Sequence, residues 1–260
     1  MGIRARMRRC GFAVLALALV TGWGLGPGPA AAREAPKPLR VLLTNDDGWD
    51  APGIVAMRKT LVAAGYDVVE VAPSQNESGS GAKMDVHFGQ TLDATEQSPG
   101  VWSVAGSPAD AVYFGLGVVS ASHPPDLVVS GSNFGHNVGG IVNHSGTVGA
   151  AVTAAEQGVP AIAVSTEYDR ARGPEATLAA FPATGAFTVR LVQALTASSH
   201  GGRLLPLHLS LNLNYPLVPE GKRIPGVSYT VIGHQLPVQP GYVPLPGGGW
   251  RIVPRLSQEP

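Results

Sequence analysis

From residue 39 onward, short apolar runs alternate with segments of helical spacing, and this alternation narrows the fold more than any other feature. Residues 41–44, 67–72, 126–130 and 160–165 are short and rich in Val, Leu, Ile and Ala. Between the first two, residues 53–64 place Ile54, Val55, Met57, Leu61 and Val62 at helical spacing and stop at Gly65. Ser107-Pro108 reads as an N-cap followed by Pro at the first helical position, with the helix continuing over 109–116. Residues 147–157 are Ala-rich and end at Gly158, residues 176–197 form a further helix that Pro182 is placed to interrupt, and 207–214 reads as another strand. Such alternation predicts an α/β fold of three layers, a mainly parallel sheet flanked by helices. Residues 85–104 have strand-like pieces without helical period and predict a β-hairpin excursion. The tail after Tyr215 is rich in Pro and Gly and predicts loops or short hairpins.

The ends differ in composition. Arg4, Arg6, Arg8 and Arg9 precede the apolar run 12–20, and Ala30-Ala31-Ala32 supplies small residues for cleavage, so residues 1–32 read as a signal peptide. Gly and Pro at 22, 24, 26, 27 and 29 break the run too early for a good membrane span. Residues 33–38 are then a linker and 39–260 a single domain, whose length suffices for one core. The expectation is an exported protein, periplasmic or extracellular, without stable membrane association after cleavage. Arg8-Arg9 leaves the Sec and twin-arginine routes open. Cys10, the one cysteine, falls within the leader, which excludes disulfides, Cys-ligated zinc and a thiol nucleophile from residues 33–260. The formal net charge of +0 hides an imbalance: without residues 1–32 there are 14 basic against 18 acidic side chains, a net of −4. Charge therefore gives no support for binding a nucleic-acid polymer.

The chemistry gathers where strands end. In open parallel sheets ligands lie beyond the carboxyl ends of the strands. Asp46 and Asp47 follow the first strand, the hydroxyl-rich stretch 73–81 follows the second, and residues 131–137, with Ser132, Asn133, His136 and Asn137, follow the third. Adjacent carboxylates repel unless a cation lies between them, and the oxygen donors of these loops suit a hard ion such as Mg²⁺ or Mn²⁺. The alternative for Asp46 and Asp47 is a solvated turn with a helix N-cap. Ser145-Gly146-Thr147 opens the Ala-rich helix and would offer free backbone N–H groups to a phosphate, or act as a plain cap. Metal donors and an anion cradle on one edge together suggest metal-assisted phosphoryl hydrolysis.

Five blocks sharpen this reading: residues 42–48 with 51–54, 71–79, 106–112, 125–133 and 145–151. In this order they resemble the SurE family, the survival-protein E type of 5′/3′-nucleotidase and acid phosphatase, with the best match over 39–165. The resemblance implies a Rossmann-like SurE fold. It implies one divalent metal ion per subunit, Mg²⁺ or Mn²⁺, on Asp46, Asp47, Ser78 and Asn133. It implies substrate contacts on Asn137, Ser145, Gly146 and Thr147, with Ser107 as a further candidate. The implied activity is hydrolysis of nucleoside 5′- or 3′-monophosphates, a small-molecule phosphate ester as substrate, with Asp46 or Asp47 handling a proton. The family's C-terminal region forms dimer or tetramer contacts, so a homodimer or homotetramer is implied.

This chain departs from the family pattern at His136, Gly139-Gly140 and His144, where many bacterial members carry Pro, acidic and Tyr side chains, and its C-terminal part is short. His136 and His144 are candidates for protonating a leaving alkoxide, with surface or supporting roles as the plainer alternative. Two glycosylation sequons, Asn76-Glu77-Ser78 and Asn143-His144-Ser145, fall on the site loops, which favours a bacterial export route. Competing readings are an acid phosphatase of broad specificity and a non-catalytic nucleotide- or phosphate-binding module. A zinc de-N-acetylase would need His beside the Asp pair, where Asn45 and Gly48 stand. A dinucleotide-binding enzyme would need Gly-x-Gly-x-x-Gly after the first strand, and the chain has none there.

Overall fold

The computed structural model describes residues 37–256 apart from 86, 220 and 237. The expected signal peptide, residues 1–32, lies outside the described residues, as does most of the 33–38 linker. The seven-stranded sheet contains β1 (Arg40–Thr44), β2 (Asp67–Pro73), β3 (Ala94–Ser98), β4 (Val101–Val104), β5 (Leu127–Phe134), β6 (Ala161–Thr166) and β7 (Ser210–Tyr215), in the order β3-β4-β2-β1-β5-β6-β7. Every pairing is parallel except β3 with β4. The expected hairpin is therefore no excursion. It forms the edge of the main sheet, because β4 aligns parallel to β2 from Glu70↔Val101 to Pro73↔Val104.

Four helices cover the two faces: α1 (Pro52–Ala63), α2 (Pro108–Phe114), α3 (Gly146–Glu156) and α4 (Pro174–Ser198). The period-2 pleat of the strands sorts the core. Val41, Leu43, Leu127 and Val129 pack with Ile54, Met57 and Leu61 of α1 and Val189 and Val192 of α4. Leu42 and Val128 face the other way, against Ala111 and Val112 of α2 and Ala150, Ala151 and Ala154 of α3. The small side chains of α3 let it lie close to the sheet, and nine of its eleven residues are buried.

The local signals act as expected at the helix ends. Ser107 caps α2 in a full capping box: its hydroxyl accepts from Asp110 N and the Asp110 carboxylate accepts from Ser107 N. Gly65 follows the last turn of α1 with φ +87°, a conformation that favours Gly. Pro182 does not break α4, which runs unbroken for 25 residues. The tail forms a separate two-stranded antiparallel sheet, β8 (Val238–Pro244) with β9 (Trp250–Leu256). Tyr242, Trp250 and Ile252 on it are exposed.

Candidate active site

The order β2-β1-β5-β6 puts the chemistry-bearing loops side by side. Thr44 at the end of β1 is level with Ser130 of β5, so Asp46-Asp47, just past β1, lie beside the last residues of β5, which include Ser132 and Asn133. Backbone hydrogen bonds then tie the loops together. Glu77 N donates to Asp46 O at 2.7 Å, joining the loop after β2 to the acidic pair. Gly81 N donates to His144 O at 3.1 Å, joining the same loop to the segment before α3. The turn itself is held by Asn45, whose Nδ2 donates to Gly48 O at 2.8 Å and whose Oδ1 accepts from Gly48 N at 3.3 Å. Gly48, at φ +112°, takes a backbone conformation that side-chain-bearing residues rarely adopt.

Asp46 is 3% exposed. Thr147 Oγ1 donates to its Oδ1 at 2.6 Å. Burial pushes the Asp46 carboxyl above the usual carboxylate range, while the Thr147 hydroxyl and the backbone amides of Thr147 and Gly146 pull it back. Those amides open α3, so the positive end of this helix faces a carboxylate that belongs to the protein. Asp47 is pushed up to about 6, first by desolvation and then by the charge of Asp46, against a hydrogen bond from Phe134 N to its Oδ2 at 3.1 Å. Among the described residues the ion pairs are Arg40–Asp67, Arg58–Glu70 and Lys83–Asp85, so no Lys, Arg or His forms a salt bridge with the acidic pair.

The other expected residues lie at the ends of the strands and on the loops and helices that follow them. Asn133 is the next-to-last residue of β5, and its Nδ2 donates to Gly135 O at 2.8 Å, leaving its Oδ1 as a free donor atom for a cation. Ser78 is exposed in the turn after β2, where its N donates to Asn76 Oδ1 at 2.9 Å. Asn137 is buried and held from every side. Its N donates to Asn214 Oδ1 at 2.7 Å, its O accepts from Asn212 and Asn214 Nδ2, and its Nδ2 donates to Ser165 Oγ at 2.9 Å and Thr147 Oγ1 at 3.4 Å. Ser145 caps α3, accepting from Val148 N at 3.1 Å. Ser107 is tied to α2 and to Lys83 O, and none of its hydrogen bonds reaches the acidic pair. His144 exposes its side chain, while His136 has its Nδ1 buried without a hydrogen-bond partner.

Two contributors escape sequence reading. Ser80 Oγ is buried and unpartnered, and a Cβ built on Gly146 would lie 2.8 Å from it and 2.7 Å from Asp46 Cβ. Ser80, Asp46 and the head of α3 thus converge because residue 146 lacks a side chain. The second is the Phe134 amide on Asp47, a backbone contact that no residue type announces. Gly149 has a comparable spatial role: a Cβ there would overlap the Gly81 carbonyl, so the loop after β2 sits directly on α3. Gly149→Ala is expected to lower Tm by about 3–10 °C, from an overpacking cost of about 1–3 kcal/mol. Calorimetry showing an unchanged Tm would mean that the loop is not seated there.

The residues fit a hard divalent cation. A buried and a half-buried carboxylate lack a protein counter-charge, and the neighbouring donors are oxygens. Among the described residues no group of three or more His, Cys, Asp and Glu could hold a metal, so such a site needs the Ser and Asn oxygens. The loop 135–144 is backed by the C-terminal segment, with Gly140 N donating to Gln235 O at 2.8 Å and Leu236 against Gly140. The Gly139-Gly140 step is what permits this approach, since a Cβ on Gly139 would overlap Gln235 O.

Comparison with known proteins gives the same grouping. The profile of the family described as Survival protein SurE matches residues 41–238, well beyond the five motif blocks. A 5′-nucleotidase SurE of Sorangium cellulosum (strain So ce56) is 42% identical over 180 residues, which cover 68% of this chain and 64% of that protein. The match thus spans just under two-thirds of that relative's length. A 5′-nucleotidase SurE of Geobacter metallireducens is 39% identical over 195 residues, 75% of this chain and 71% of that protein. The crystal structure of the SurE protein from Aquifex aeolicus has a TM-score of 0.68 at 30% identity, covering 84% of this chain and 83% of that one. By profile, by sequence and by fold, the chain belongs to the SurE family.

Proposed function

We propose that the chain is a phosphoric monoester hydrolase of the nucleotidase type, dependent on one Mg²⁺ or Mn²⁺ ion and acting on nucleoside monophosphates after export from a bacterial cell. The observation that carries this is the Asp46-Asp47 pair, buried at Asp46 and half-buried at Asp47, unneutralised by protein cations and tied to the head of α3 and the end of β5. An anion-binding module would gain nothing from two desolvated carboxylates beside its ligand, so the pair favours catalysis over binding alone.

Asp46, Asp47, Ser78 and Asn133 would hold the ion, which when bound supplies Lewis-acid activation of a phosphate oxygen and of water. The protein's own part is positioning and proton traffic. The Thr147 hydroxyl fixes one Asp46 oxygen and the Phe134 amide fixes one Asp47 oxygen, so neither carboxylate turns freely. Asp47, pushed up to about 6, is poised to take or release a proton near neutral pH. The pair titrates as a unit, and the proton belongs to both carboxylates. Asn137, clamped by Asn212, Asn214 and Ser165, holds its side-chain amide beside Thr147. The exposed aromatic residues of β8 and β9 favour self-association through the C-terminal sheet. Export rests on the composition of residues 1–32.

The test is phosphate release from AMP by residues 33–260, after chelation and after restoring Mg²⁺ or Mn²⁺. Release that disappears on chelation and returns with metal supports the reading. A folded protein inactive on AMP and on simple phosphate esters under both conditions refutes it.

A further inference from the structure

Beside the acidic pair lies an aromatic cluster that the phosphate chemistry does not use. Phe134 and Tyr168 have ring centroids 5.4 Å apart with planes inclined by 39°. Phe181 of α4, 3% exposed, meets Phe134 edge-on at 6.4 Å. Phe181 is thus the buried footing, while Phe134 at 37% and Tyr168 at 39% exposure keep surface open to solvent. The sheet fixes their placement. Phe134 is level with Thr166, and Gly135 N donates to Thr166 O at 2.9 Å, so the ends of β5 and β6 hold the two rings together.

The cluster is joined to the site. Phe134 N lies 3.1 Å from Asp47 Oδ2. An N–Cα bond is about 1.46 Å, so the Cα that carries the Phe134 ring is within about 4.6 Å of that carboxylate oxygen. A phosphate ester seated at the acidic pair would therefore lie next to the backbone that carries the Phe134 ring. The exposed aromatic faces carry no charge, and they suit a flat, π-bearing group better than an alkyl or sugar chain.

We propose that Tyr168 and Phe134 form a stacking platform for the nucleobase, making this chain selective for nucleoside monophosphates over phosphate esters without a base. The proposal rests on the phosphomonoesterase reading above and adds the residues that select the leaving group. Neither ring is a catalytic residue; both bind the part of the substrate remote from the reacting bond. The platform is sequence-tolerant, because every base presents a π face. Discrimination between purines and pyrimidines is therefore expected to be modest, and discrimination against base-free esters large.

Two measurements on the full mature chain separate this proposal from the activity it builds on. The first is the ratio of kcat/KM for AMP to that for ribose 5-phosphate, which shares the ester and the sugar but lacks the base. In the Tyr168→Leu variant this ratio is expected to fall about ten-fold, mostly through KM for AMP, and Tyr168→Phe is expected to restore it. The second is calorimetric binding of adenosine, which needs no hydrolysis, with an affinity about ten-fold weaker in Tyr168→Leu. An unchanged ratio and unchanged adenosine binding would overturn the platform while leaving phosphatase activity standing. If the wild type hydrolyses neither ester, the phosphatase reading fails, and adenosine binding alone decides the platform. A wild type that binds no adenosine and treats both esters alike also overturns it.

Discussion

Asp46→Asn is expected to reduce metal-restored phosphate release from AMP by well over about 100-fold while the protein stays folded. Removing a residue that merely orients a metal ligand costs about 10–100-fold, so removing a ligand should exceed that range. Asn matches Asp in size, which matters at a site where a Cβ on Gly146 would already lie 2.7 Å from Asp46 Cβ. The hydrogen bonds also survive in altered form. The Thr147 hydroxyl, which donates to Asp46 Oδ1 at 2.6 Å, can accept instead from an Asn amide, leaving the Asn oxygen for the amides of Gly146 and Thr147. Burial raises the Asp46 carboxyl, so its charge destabilises the metal-free fold, and a neutral replacement should leave the chelated protein at least as stable. Activity assays paired with thermal melts decide the matter. Turnover near the wild-type rate would remove Asp46 from the metal site, and a lower Tm in the chelated variant would show that the charge is not uncompensated.

The features legible in the sequence were those set by local chemistry. Apolar runs bounded by Gly and Pro identified β1, β2, β5 and β6, and Ser107-Pro108 marked the start of α2, because caps and periodicity act over a few residues. The Asp46-Asp47 step was legible as chemistry because two adjacent carboxylates are costly without a cation. The order of strands was not legible, and it decides which loops meet. The edge hairpin was seen as strand-like, yet its attachment to β2 depends on contacts some thirty residues distant along the chain. Pro182 misled in the opposite sense, since a helix packed along its length against a sheet tolerates a local Pro that an isolated helix would not. At the site, residue type left Ser145-Gly146-Thr147 as either an anion cradle or a plain cap. In the fold Ser145 caps α3, and Thr147 and its neighbouring amides hold Asp46, contacts that residue type does not announce. Ser80 could not be distinguished from Ser78 by type, because only the missing side chain at Gly146 brings Ser80 beside Asp46.

Metal should stabilise this protein strongly at neutral pH and weakly in acid. Asp47 has its folded-state value raised to about 6 from an ordinary 3.8. A carboxyl raised in this way makes the folded state bind protons more readily than the unfolded chain between those two values. In the chelated protein its contribution is therefore unfavourable above about pH 6, weakens as pH falls through that value, and vanishes below about 3.8. For a partly exposed group the amount is on the order of 2 kcal/mol. A cation between the carboxylates replaces this repulsion with attraction. At a hundred times its dissociation constant it adds about 2.7 kcal/mol, or roughly 5–10 °C in Tm for a chain of this size. Near pH 5 protons occupy the pair and compete with the ion, so the increment should shrink to a small fraction of its neutral value. Glu70 also titrates in this range, pushed up to about 7 by burial against the pull of Arg58. It lies within β2 rather than in the site loops, so it affects metal-loaded and chelated protein alike and cancels in their difference. The measurement is that difference in Tm, with Mn²⁺ or Mg²⁺ against chelator, at pH 5, 6 and 7.5. An increment that is equal at all three values would locate the ion away from Asp46 and Asp47, and its absence at pH 7.5 would mean that the pair is neutralised by protons alone.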